Sequence, residues 1–148
     1  MSSRSNIPSH VPARNRRLFV LVGIATFLSI GHHLDHLARG NHLGWPLTSQ
    51  VTPFTFSFIV YPLIVLGVLL QVWGKGGPGY WAMLAGAGLV LVGVTHLGPF
   101  AAEPPQDIIE PYRFRVVGWA AFGLLVALLV TLATLAVYAS RCWRGQGI

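Results

Sequence analysis

Arg16–Arg39 reads RRLFVLVGIATFLSIGHHLDHLAR, and this stretch decides the fold. Its apolar run, Leu18 to Ile30, begins right after Arg16 and Arg17 and stops at Gly31-His32-His33-Leu34-Asp35-His36-Leu37-Ala38-Arg39. A bilayer's hydrocarbon core is roughly 30 Å thick and a helix rises about 1.5 Å per residue, so a span needs about 20 residues. The run alone is too short. Either the first helix carries three histidines and an aspartate to membrane depth, or the cluster sits at the membrane boundary. Ionisable side chains at that depth are costly and mark functional sites by default.

Working outward, three more apolar segments have spanning length: 54–73, 81–100 and 114–139, after a first span at about 17–38. The chain has 148 residues, 53% of them hydrophobic and 9% charged, far below the roughly 25% charged residues of a soluble domain. The expected fold is therefore an all-α integral membrane four-helix bundle at 15–141, with a disordered cytoplasmic tail at 1–14 and a cytoplasmic tail at 142–148. Gly74-Lys75-Gly76-Gly77-Pro78-Gly79 reads as a tight turn that makes spans two and three an antiparallel hairpin. The Arg16-Arg17 flank reads as the positive side of a retained first helix, because no small-x-small cleavage site follows it.

Basic residues set the expected orientation. With both termini cytoplasmic, Arg4, Arg14, Arg16, Arg17, Lys75, Arg141 and Arg144 lie inside and only Arg39, Arg113 and Arg115 outside. The net charge of +6 is spread over these flanks and forms no nucleic-acid-binding stripe. All four acidic residues and five of six histidines then fall on the extracytoplasmic side of a plasma (inner) membrane protein. A single cysteine, Cys142, excludes an internal disulfide and Cys-rich metal sites.

His32, Asp35, His36 and Arg39 follow i, i+3, i+4, i+7 spacing and share one helix face, while His33 points elsewhere. His32 and His96 lie about 21–23 Å from the inner boundary on two outward-running helices, so they should share a level. The expected site is His32, Asp35, His36 and His96, supported by Arg39, Glu103, Tyr61 and Arg113, with His33 and His42 as reserve ligands. Three chemistries fit: a zinc, iron or copper ion on His32, His36 and His96 with a carboxylate as fourth ligand or orienting partner; a haem between His32 and His96; or proton chemistry without a cofactor. The plain alternative is a helix end in the headgroup layer, with Asp35 and Arg39 as a simple ion pair.

Weaker features suggest structure. Asp107 and Glu110 read as an N-cap and the acidic residue three positions later, opening the fourth helix. Pro62 should kink the second span and free a carbonyl, with Tyr61 either packed in the bundle or lining an outward cavity. Gly86, Gly88 and Gly93 read as a close-packing surface, and Thr131 and Thr134 as bundle hydrogen-bonders. The four-span layout with polar groups at one end resembles, in architecture alone, the small membrane isomerases of the sterol-isomerase type, and no activity is carried over. The expected function is a small polytopic membrane protein whose outward-facing His/Asp site binds a metal ion or small ligand, or runs acid–base chemistry. The alternative is a non-catalytic accessory or assembly subunit. Expected partners are the bilayer, a small-molecule or lipid ligand, and a membrane protein or second copy, with no nucleic acid.

Overall fold

A computed structural model describes residues 13–40 and 50–145, and over these the chain is all-helical. The helices are α1 (Ala13–Arg39), α2 (Pro53–Ser57), α3 (Val60–Val72), α4 (Pro78–His96), α5 (Pro105–Ile109) and α6 (Arg115–Trp143). Four stretches are long and apolar enough to cross a membrane: Arg16–Arg39, Pro53–Val72, Pro78–His96 and Arg115–Trp143. The N-terminal tail, the segment holding His42 and Trp45, and residues 146–148 lie outside the described residues.

The first span is one unbroken helix, so the histidines ride on it. Gly40, with φ of +74°, ends it. The third span stops at His96 rather than at residue 100. Leu97 leaves helical geometry and Gly98 turns with φ of +115°, ahead of Pro99. The fourth span starts at Arg115 and runs on to Trp143. Asp107 does not cap it. Pro104 is the N-cap of a separate short helix, α5, in which Asp107 falls in the first turn. The reason is Pro111, which does not begin α6 but falls in the turn between the two helices.

Burial follows a heptad-like stripe. On α1 the buried residues Leu18, Val22 and Ala25 are continued by half-buried Ser29 and buried His32 and His36, alternating by four and three. On α6, Gly118, Leu125, Leu128, Leu135, Ala139 and Cys142 keep the same step. Trp81 and Ala85 of α4 join Leu18, Val22, Ala25, Leu135 and Ala139 in one core, at the end opposite the histidines. At the histidine end Ile108 of α5 is fully buried against Leu125 and Leu129. This folds the 97–114 connection back over the bundle. Gly118 allows it, since a Cβ there would lie 2.2 Å from the Ile109 carbonyl oxygen.

Lipid tails are as apolar as leucine, so helices in a bilayer associate through close packing rather than hydrophobic drive. The close approaches fall at other glycines than expected. Gly67 of α3 sits under Tyr80 and Trp81, and Gly31 of α1 faces Leu124. A Cβ on Gly86 or Gly93 would meet nothing within 4 Å, and one on Gly88 would only touch Leu132. Thr131 and Thr134 bond back to the carbonyls of Ala127 and Val130 on their own helix.

The second span breaks at Phe58–Ile59, between α2 and α3. Pro62 has no N–H for the Phe58 carbonyl, which instead accepts from Tyr61 N–H at 3.1 Å in a tighter turn. This span is peripheral. Of its two helices only Phe54 and Gly67 are buried. It is held at one end by Tyr80 Oη donating to the Leu63 carbonyl at 2.5 Å and Trp81 Nε1 donating to Gln71 Oε1 at 2.6 Å. At the other end it is held through His33.

Candidate metal centre

The α1 stripe brings His32 and His36 to one place one turn apart, and α4 ends there with His96. All three are buried, and one ligating atom from each lies within 4.8 Å of the others. The Nε2 atoms of His32 and His36 are 3.3 Å apart. Donors on a tetrahedral zinc ion are separated by about 3.3–3.4 Å, given Zn–N bonds of roughly 2.0–2.1 Å. His96 Nδ1 donates to the backbone carbonyl of Glu103 at 3.1 Å. Its Nε2 is therefore the lone-pair nitrogen, oriented by that hydrogen bond as ligating imidazoles are.

Glu103 closes the ring. Its backbone N–H donates to the Thr95 carbonyl at 2.9 Å, which fixes it beside the end of α4. Its Oε2 lies 3.4 Å from His36 Nε2 and 3.3 Å from His96 Nδ1, and makes no hydrogen bond among the described residues. Its Oε1 accepts from Arg39 Nη1. Arg39 also donates from Nε to Asp35 Oδ2 at 2.9 Å and from Nη1 to the Asp107 carbonyl at 3.1 Å. Tyr112 donates to the second Asp35 oxygen at 2.5 Å. Asp35 is thus turned to Arg39 and Tyr112, away from the imidazoles. Burial holds the Glu103 carboxyl above the usual carboxylate range, against the pull of Arg39. Burial and the bond to Asp35 push the Tyr112 phenol up to about 12.

The charges do not balance. Asp35 and Glu103 bring two negative charges and Arg39 one positive, all with side chains no more than 6% exposed. With neutral imidazoles the cluster carries one buried negative charge, which is costly unless a cation or proton joins it.

Other expected residues stand apart. His33 faces α2. Its Nε2 lies 2.7 Å from Ser57 Oγ, and its Nδ1 lies 2.8 Å from both the Ser29 carbonyl and Tyr61 Oη. It ties α1 to the second span and is outside the three-histidine group. Tyr61 belongs to that tie. Arg113 is exposed, with its guanidinium 5.6 Å from the centre of the Phe114 ring. His42 lies outside the described residues. A haem does not fit these rotamers. The His32 and His96 rings meet edge to face at 4.9 Å, and the cavity beside them holds about 60 Å³.

Sequence spacing missed Tyr112 and Ser57. Neither shares a helical period with the residue it serves, and only the folded-back 97–114 connection and the broken second span deliver them. Comparison of the chain with protein-family models, with curated proteins and with solved structures returns no match, so a reading of function rests on the geometry of this cluster.

Proposed function

We propose that the protein is a multi-pass membrane protein that holds a divalent transition-metal ion on His32, His36 and His96, with Glu103 Oε2 as the fourth ligand. The observation that carries this reading is the buried, unpartnered Glu103 oxygen set against two imidazoles in a cluster one positive charge short. With the Nε2 hydrogen of the His32–His36 pair moved to a ring Nδ1, an ion there takes both Nε2 lone pairs and turns the net charge of the cluster from −1 to +1. Imidazole with carboxylate suits zinc and iron. Tyr112 holds Asp35, Asp35 holds Arg39, Arg39 holds Glu103 Oε1, and Oε2 is left for the metal. The basic-residue bias puts both termini in the cytoplasm and the centre in the outer leaflet of the plasma (inner) membrane.

The test is elemental analysis and Co²⁺ uptake by the full chain purified in detergent. One ion per chain and visible bands of four-coordinate Co²⁺ are expected. His36→Ala and His96→Ala should each abolish uptake, and Glu103→Gln should weaken it at least tenfold. A preparation that takes up neither Zn²⁺ nor Co²⁺ at micromolar concentration overturns the reading. It leaves a protonated imidazole as the missing charge.

A further inference from the structure

A second cavity, of about 340 Å³, adjoins the metal centre on the side of the second span. It lies between α3 and the rest of the bundle, with Gly67 against Tyr80 and Trp81 toward one end and His33 with Ser57 and Tyr61 at the other. The walls are apolar for most of their length, with Val22, Ala25, Leu63, Ile64, Leu84 and Leu132 among them. The polar groups gather at one end. Ser29, His33, Ser57, Leu91, Val92 and Leu128 line both this cavity and the small one that holds His32, His36 and His96.

A long apolar slot inside a membrane-spanning bundle, ending on a cationic centre, has the shape and polarity of a site for a single-chain amphiphile. Its volume lies within the roughly 300–1,000 Å³ of ligand pockets. Its wall on α1 runs from Val22 to Ser29, which at about 1.5 Å per residue gives about 10 Å of length for one apolar tail. Charge complementarity names the head. The residues carry one net negative charge and a divalent ion brings two positive ones, so the loaded centre is left at +1 and is neutralised by one anionic oxygen group.

On the metal reading above, we infer that the protein binds one single-chain lipid with an anionic oxygen head, of the fatty-acid class. The tail lies between α1, α3 and α4, and the head reaches the metal past His33. The tie from His33 to Ser57 and Tyr61 is the threshold between tail and head.

The experiment titrates the Co²⁺-loaded full chain in phosphatidylcholine nanodiscs with hexadecanoate, hexadecyl phosphate, methyl hexadecanoate and acetate. Hexadecanoate should shift the Co²⁺ bands at one equivalent, at least 100-fold more tightly than acetate, and the methyl ester should leave them unmoved. Hexadecyl phosphate in place of hexadecanoate distinguishes a phosphate from a carboxylate head. Gly88→Leu and, separately, Leu63→Trp fill the slot away from the ligands and should each weaken hexadecanoate at least tenfold while acetate binds as before. Equal affinity for acetate and hexadecanoate, or no effect of either slot variant, overturns the lipid site and leaves the metal centre standing. Failure to take up Co²⁺ at all removes the metal centre, and this inference with it.

Discussion

Arg39 serves two carboxylates with one guanidinium, and its side chain is 2% exposed. Removing one partner of a buried ion pair typically costs about 3–5 kcal/mol, because the remaining charge is left unpaired. Arg39→Gln should therefore lower stability by about that much in detergent thermal denaturation, and an added Asp35→Asn should recover part of the loss. As a positioning residue, Arg39 should also affect Co²⁺ affinity by about 10–100-fold. Tyr112 acts further out. Tyr112→Phe removes a hydrogen bond to a carboxylate, worth about 1.5 kcal/mol at a half-exposed site. The folded phenol titrates near 12, above the ordinary value of about 10. The stability from this bond is thus fully present below about pH 10 and lost as pH rises through about 12. A wild-type minus Tyr112→Phe ultraviolet titration should show one phenolate appearing near pH 12.

Among the elements, α5 is the one whose position the centre depends on. It is short, and Ile108 and the contact of Ile109 with Gly118 hold it on α6. A methyl group on Gly118 would force that backbone away, and overpacking of this kind costs about 1–3 kcal/mol. Gly118→Ala should lower the melting temperature and also weaken Co²⁺ binding, because the Asp107 carbonyl and Glu103 move with α5. Gly86→Ala adds a methyl group where nothing lies within 4 Å and should change neither measurement. The broken second span is a separate element with a separate role. Its shorter part, α2, presents Ser57 to His33, and its longer part, α3, forms one wall of the slot.

At the scale of the whole molecule, both long terminal helices, α1 and α6, have their chain-terminal ends at the side opposite the histidines. That side carries Trp81 and Ala139 in the core, and the histidine side carries the folded-back 97–114 connection. In the orientation proposed above, the first side faces the cytoplasm. Ala102 is exposed on the connection, and Cys142 is buried in α6. In intact cells a membrane-impermeant maleimide should label Ala102→Cys and should not label the native chain. Labelling of Ala102→Cys only after cell lysis would reverse the orientation.

The four long helices were legible in composition and length alone, because a bilayer demands about 20 apolar residues whatever the packing. The shared face of His32, His36 and Arg39 was legible too, since it continues the four–three step of Leu18, Val22 and Ala25. The equal level of His32 and His96 followed from counting residues along two parallel-running helices. Other features needed the tertiary structure. Asp107 looked like a cap of the fourth span, and it became part of α5 because Pro111 separates that turn from α6. The choice of Glu103 over Asp35 beside the imidazoles depends on Tyr112 taking the second Asp35 oxygen and on Arg39 reaching across to Glu103. Those contacts join residues more than sixty positions apart, and no local periodicity encodes them. Helix existence is set by each segment's own length and apolar composition, whereas the histidine cluster is set by which loop folds back onto which helix end.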